Sequence, residues 1–159
     1  MQSEQEVNRA IECYADTVKR ICILHLKNVS DTEDIFQEVF LKYAMSDIVF
    51  ENEEHEKAWL IRVTLNACKD LLKSHWRRTT VAMEAASHIP APELEEGSLS
   101  AAVNLLPPKY RAVIYLYYYE GYAAKEIAEL LGEKPATVST QLSRGREKLR
   151  THLEQEGFA

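Results

Sequence analysis

Between Val138 and Arg150 the chain reads VSTQLSRGREKLR, a helical run whose second half crowds together Arg144, Arg146, Lys148 and Arg150. Ahead of them stand the hydroxyl and amide groups of Thr137, Ser139, Thr140, Gln141 and Ser143. This order suits a polyanion with readable edges: short hydrogen-bonding groups early in a helix reach base edges, while later cations neutralise phosphates. A second basic block, residues 57–80, carries six basic side chains against one acidic. Yet the 159-residue chain is acidic, with a formal net charge of −6. The difference lies in residues 30–56, with nine acidic side chains and one basic, and in residues 81–100, with four acidic and none basic. Exposed charges act over a screening length of about 8 Å, so each block governs its own surroundings and the net charge does not exclude phosphate binding.

Residues of other chemistries lack the spacing that those chemistries need. Cys13, Cys22 and Cys68 are an odd number without C-x-x-C pairing and read as reduced, half-buried thiols. The five histidines are scattered, with no H-E-x-x-H pair, and no G-x-x-x-x-G-K-S/T loop is present. We therefore expect no metal, no cofactor and no catalytic constellation. No run of about 18 uncharged apolar residues offers a membrane span. The N-terminal MQSEQEVNRAIE lacks the basic start and apolar stretch of a signal peptide, so a cytoplasmic location is expected.

The elements that must carry these side chains are helices. Val7, Ile11, Tyr14, Val18 and Ile21 step by three and four along one helical face. A second helix is expected from Ser30, whose spacing to Glu33 is that of a capping box, with Ile35, Phe36, Val39, Phe40 and Tyr43 buried. A third runs from about Lys57 to Arg78 on a stripe of Trp59, Leu60, Val63, Ala67, Leu71 and Leu72. Pro90, Pro92 and Gly97 then interrupt an acidic stretch, which reads as a linker. Beyond it, Pro107-Pro108 sits where a helix can begin, Lys109 to Glu120 is apolar enough for a core helix, and Gly121 is a stop.

AAKEIAELLGEKPATVSTQLSRGREKL has the layout of a helix-turn-helix. Ile127, Ala128 and Leu131 form the inner face of its first helix, and Gly132 supplies the left-handed turn position. Pro135 opens the second helix, which Val138, Leu142 and Leu149 fix to the core. Gly145 is the local inconsistency, costing about 1 kcal/mol relative to Ala within a helix; a close approach of DNA backbone is one reason for small size there. The expected fold is all-α: two small helical domains, residues 1–80 and 101–159, joined by a flexible linker over residues 81–100, the C-terminal domain a helix-turn-helix.

Three stretches in this order, DTEDIFQEVFLKY, KAWLIRVTLNACKDLLKSHWRR and LLPPKYRAVIYLYYYEGYAAKEIAELLG continued by VSTQLSRGREKL, make the chain resemble extracytoplasmic-function sigma factors of the sigma-70 family. The resemblance implies a specificity subunit of bacterial RNA polymerase, not an enzyme, with core polymerase and promoter DNA as partners. It implies docking of Asp34, Gln37 and Glu38 on the β′ clamp coiled coil. It gives Arg62, Asn66, Lys69, Lys73, Trp76, Arg77 and Arg78 to the minus-ten element, with Asn66 lining a pocket for a turned-out base and Trp59 assigned to the core. Thr137, Ser139, Thr140, Ser143, Arg144 and Arg146 fall to the minus-thirty-five element. Relatives commonly carry basic residues where Ser139 and Gln141 stand, and an apolar one at Glu133, so this chain departs from the pattern there. The helix with Tyr110, Ile114, Leu116 and Tyr117 is either a contact for the polymerase β flap or core. An anti-sigma factor is a further implied partner. Two other readings remain: a stand-alone helix-turn-helix regulator, and a sigma-like interaction module that sequesters partners without starting transcription.

Overall fold

The computed structural model describes residues 1–26, 28–79 and 99–155, the side chains of residues 75–79 lying outside that description. The chain divides into two compact units, Met1–Pro92 and Glu93–Ala159. The expected linker lies outside the described residues over 81–98, and its last two positions are already helical. Among the described residues no helix is long and apolar enough to cross a membrane.

The first unit is three helices, α1 (Glu4–Leu26), α2 (Val29–Met45) and α3 (Glu53–Thr79), each packed on the other two. Ala10, Tyr14, Val18, Ile21 and Cys22 of α1 meet Ile35, Val39, Phe40 and Tyr43 of α2 in the core. On α3 the buried face is Leu60, Ile61, Thr64, Leu65, Ala67 and Cys68, while Val63, Leu71 and Leu72 of the expected stripe are only half-buried. Thr64 enters this core because its hydroxyl donates to the Leu60 carbonyl at 2.7 Å, satisfying the polar group within its own helix. The cysteines divide differently from expectation: Cys22 and Cys68 are buried and Cys13 is exposed.

Both helix starts fall earlier than expected. The cap of α2 is Asn28, whose Oδ1 accepts from the Asp31 amide at 2.9 Å, and not the Ser30–Glu33 pair. Asn28 sits in extended backbone immediately before the first helical residue, where its carboxamide satisfies an orphan N–H. Helix α3 begins at Glu53, four residues before Lys57, with Asn52 Oδ1 accepting from the His55 amide at 2.8 Å.

The second unit holds α4 (Leu99–Asn104), α5 (Pro108–Ile114), a π-helical turn (Tyr115–Tyr119), α6 (Ala124–Leu131) and α7 (Pro135–Gln155). Pro107 caps α5 and Pro108 is its first residue. The apolar run after Ile114 does not continue as α-helix: Glu120 N–H bonds the Tyr115 carbonyl at 3.2 Å, a wider π spacing, and Gly121 then ends it at φ +77°. Arg111, buried, ties α5 back to α4 by donating to the Asn104 carbonyl at 3.1 Å. In α6 the inner face is Ile127, Ala128 and Leu130, with Leu131 half-buried instead. Gly132 adopts φ +68°, and the Glu133 N–H closes on the Ala128 carbonyl at 2.9 Å, the Schellman arrangement that frees the chain to turn into α7.

Gly145 has a structural role inside the unit. It is buried where α7 crosses α5, and a Cβ there would stand 2.9 Å from Ile114 Cγ1 and 3.5 Å from Tyr110 Cβ. Its small size serves helix–helix contact, and the propensity cost is set against closer packing.

Candidate polymerase and nucleic-acid interfaces

Two exposed stripes lie on the first unit. On α2, Asp34, Gln37 and Glu38 all point to solvent, opposite the buried Ile35 and Val39. At 100° per residue, Asp34, Glu38, Leu41 and Met45 fall within about 60° of arc. Leu41 and Met45 are each 63% exposed, so the acidic stripe continues into an apolar one that sequence reasoning missed. Their exposure is legible only once the opposite face is known to be full. Glu38 is paired with Lys42 at 3.1 Å, but an exposed i,i+4 pair is worth only about 0.3–0.5 kcal/mol and does not tie up the carboxylate.

On α3, Arg62, Asn66, Lys69 and Lys73 are all exposed, and with Trp59 they lie within about 80° of arc on one face of the helix. Trp59 is half-buried, its ring edge-on to Tyr43 at 6.1 Å and to Phe50 at 5.7 Å. Phe50 also stacks on Tyr43 at 5.8 Å. This aromatic cluster seats the segment between α2 and α3 against the N-terminal end of the basic stripe. From there Ile48 and Val49 project, Val49 being 89% exposed. The side chains of Trp76, Arg77 and Arg78 lie outside the described residues.

Beneath these stripes is a polar knot that joins all three helices. Glu56, on the first turn of α3, accepts from Arg9 of α1 at 2.7 Å and from the Tyr43 hydroxyl of α2 at 2.9 Å, both through Oε2. Glu56 is 4% exposed. Burial alone would push its carboxyl up, but the bonds from Arg9 and Tyr43 and the Arg9 charge outweigh that and hold it below the ordinary value. Conversely, hydrogen bonds to Glu56 and Glu6 raise the Arg9 pKa, while burial and the nearby Glu56 push Tyr14 up to about 12. Nothing in the spacing of Arg9 and Glu56, 47 residues apart, announces this pair.

On the second unit, Ser139, Thr140, Ser143 and Arg144 are exposed along α7, Thr137 and Gln141 are half-exposed, and Val138 and Leu142 face inward. Leu149 is half-buried. Arg146 behaves differently from its neighbours. Its Nε donates to the Tyr118 hydroxyl at 2.5 Å, and its guanidinium lies 5.2 Å from the Tyr117 ring centre and 5.6 Å from that of Tyr118. Of the four residues placed either in the core or at a partner surface, Tyr110, Ile114 and Leu116 are buried and only Tyr117 reaches solvent, beside exposed Tyr118 and Tyr119. The π-helical turn produces this ridge by rotating successive tyrosines outward. Glu133 is exposed, so the turn itself buries nothing at that position.

Comparison with known proteins places these features in context. Residues 10–78 match the family model described as sigma-70 region 2, and residues 96–149 that of sigma-70, region 4. The chain is 34% identical over 154 residues to the ECF RNA polymerase sigma factor SigE of Mycolicibacterium smegmatis, covering 88% of this chain and 58% of that protein. It is 30% identical over 161 residues to the ECF RNA polymerase sigma factor SigW of Bacillus subtilis, covering 90% of this chain and 86% of the relative. A probable RNA polymerase sigma factor, RfaY of Xanthomonas campestris, is 31% identical over 96% of this chain and 41% of its own length. The chain thus spans about half the length of two of these relatives and most of the third. In fold it is similar to the sigma factor RpoE of Bartonella quintana, solved in complex with the anti-sigma factor NepR, with a TM-score of 0.74 at 20% identity over 94% of this chain and 98% of that one.

Proposed function

The chain belongs to the extracytoplasmic-function group of the sigma-70 family, and we propose that it is the promoter-specificity subunit of a bacterial RNA polymerase. It carries no phosphodiester chemistry in this reading; the polymerase supplies that, in the cytoplasm. The observation that carries the proposal is the separation, on the first unit, of an acidic-to-apolar stripe on α2 from a basic stripe on α3, both exposed while their opposite faces are in the core.

The α2 stripe docks on the β′ clamp coiled coil. Asp34, Gln37 and Glu38 pair with polar and cationic groups of the partner, which sets register, and Leu41 and Met45 supply apolar area that no hydrogen bond can. The α3 stripe holds the opened minus-ten strand. Arg62, Lys69 and Lys73, with Arg77 and Arg78 beyond them, neutralise its phosphates, and Trp76 offers a ring for stacking. Asn66, with both a donor and an acceptor, reads the edge of an extruded base. Opening requires no ATP. Each base step resists separation by about 1.4 kcal/mol, and binding that favours the single strand shifts that equilibrium.

At the minus-thirty-five element, Thr137, Ser139, Thr140, Ser143 and Arg144 of α7 contact DNA. This set has one cation, which favours base-edge and shape recognition over phosphate attraction. Arg146, bonded to Tyr118, is better employed in fixing the tyrosine ridge than in holding a phosphate. That ridge, with Tyr117 at its start, is the part of the second unit available to the β flap. An anti-sigma factor is a further partner of such a surface.

The test is binding of the purified chain to bacterial core polymerase. We expect submicromolar affinity, lost in an Asp34→Ala/Gln37→Ala variant and weakened at least tenfold in Leu41→Ala/Met45→Ala, with thermal stability unchanged because these side chains are exposed. Run-off transcription then tests initiation. Specific duplex binding without any affinity for core would overturn the proposal in favour of a free-standing regulator.

A further inference from the structure

The segment between α2 and α3 is clamped from two sides. From its exit, Phe50 lies among Tyr43, His55 and Trp59. From its entry, the clamp is the segment ahead of α1, where the Met1 ammonium group pairs with Asp47 and Gln2 bonds the backbone on either side of it. The Gln2 backbone N–H donates to the Ala44 carbonyl at 2.8 Å, satisfying one of the orphan acceptors at the end of α2. The Gln2 side-chain amide then reaches along the loop, its Nε2 standing 2.9 Å from the Ile48 carbonyl and 3.3 Å from both the Ser46 carbonyl and Ser46 Oγ. Two of these three partners are acceptors only, so the amide must present its NH2 to the loop, and its two hydrogens are shared among them.

Between these anchors, Ile48 and Val49 stand out into solvent on a backbone held at Ser46, Ile48 and Phe50. The loop is therefore an apolar tip on a braced support. Trp59, which receives Phe50, is seven residues before Asn66, two helical turns or about 10 Å along the same face of α3. Phe50, which ends the tip, thus packs on α3 two turns before Asn66 on one helical face. A pocket for an unstacked base requires walls that do not yield, because the strand's own ordering already opposes binding.

We infer that Gln2 is a positioning residue for single-stranded DNA: it sets the loop carrying Ile48 and Val49 as one wall of the surface on which Asn66 meets the extruded base. The inference rests on the sigma reading above, and it assigns a role in strand recognition to a residue of the segment ahead of α1, outside both DNA-reading helices. Gln2 touches no nucleotide itself. Its donors matter, and its size alone does not suffice.

The experiment uses full-length chain assembled with bacterial core polymerase. Wild-type holoenzyme first selects a strand from a random-sequence single-stranded DNA library, and the selected strand, fluorescently labelled, is titrated against holoenzymes carrying Gln2→Ala or Gln2→Glu. The glutamate keeps the side chain's size but replaces the donors with acceptors that face carbonyl oxygens. We expect both variants to bind the strand about tenfold more weakly or worse, while core affinity and thermal midpoint stay at wild-type values. Strand affinity within twofold of wild type in both variants would overturn the inference and leave the sigma reading intact. Equal losses of strand and core binding would overturn it too, by assigning Gln2 to the stability of the first unit. Failure of wild-type holoenzyme to select any strand would remove the sigma reading and the inference with it.

Discussion

At the scale of single residues, two side chains decide more than their types suggest. Glu56 is a buried carboxylate held by Arg9 and Tyr43. Replacing it with Gln leaves the volume but removes the charge that Arg9 faces. We expect a loss of about 1–3 kcal/mol by chemical denaturation, less than for a fully buried pair because Arg9 reaches solvent. Its folded pKa lies below the ordinary carboxylate value of 4.5, so its contribution is complete above that pH and is lost as pH falls through the folded value. Thermal midpoints of wild type should therefore fall below about pH 4.5 more steeply than those of Glu56→Gln. Gly145 is the second case. Alanine there gains about 1 kcal/mol of helix propensity but sets a methyl group 2.9 Å from Ile114 Cγ1, inside a buried contact. Overpacking of this kind costs about 1–3 kcal/mol, so Gly145→Ala should lower the melting midpoint despite the better helix former. A rise would show that Ile114 yields freely.

At the scale of elements, helix ends and their slippage set the surfaces. Asn28, not Ser30, caps α2. Asn28→Ala should cost about 1 kcal/mol and Ser30→Ala only a few tenths, measured by urea unfolding, and the reverse ranking would restore the capping box. Ser and Asn share the N-cap preference, so residue type does not choose between them, and the Glu33 spacing pointed to Ser30; the choice depends on where the chain leaving α1 arrives. The π-helical turn at Tyr115–Tyr119 is a second element that periodicity did not indicate. Its apolar and aromatic residues satisfy an α-helical pattern equally well. The wider spacing buries Tyr115 and Leu116 and turns Tyr117, Tyr118 and Tyr119 outward, where Arg146 of α7 packs against two of them. By contrast, the turn into α7 was fully legible. Gly132 and Pro135 each satisfy a backbone requirement that few residues can meet.

For the whole molecule, charge is organised by patches and not by its sum. The net charge of −6 coexists with a basic stripe on α3 and a basic end on α7. We expect the free chain to bind random duplex no more tightly than about 10⁻⁴–10⁻⁶ M at physiological salt, by fluorescence anisotropy, and the polymerase to supply the positioning that makes these patches effective. Within holoenzyme, Lys69→Gln and Lys73→Gln should each flatten the salt dependence of single-strand binding by about 0.7 in log–log slope. An unchanged slope would place these lysines away from the phosphates.

The sequence by itself determined the helical class, the break between two units, the helix-turn-helix and the acidic part of the α2 face turned to solvent. Each follows from local rules: the 3.6-residue period, the backbone demands of Gly and Pro, and the cost of burying charge. Tertiary structure alone decided that Glu56 would be buried against a residue 47 positions away, that Gly145 admits Ile114, and that Gln2 braces the loop before α3. These depend on which helix faces meet, at what depth and in what register. Distances of that kind arise only when the segments pack, because no local period links residues so far apart in the chain.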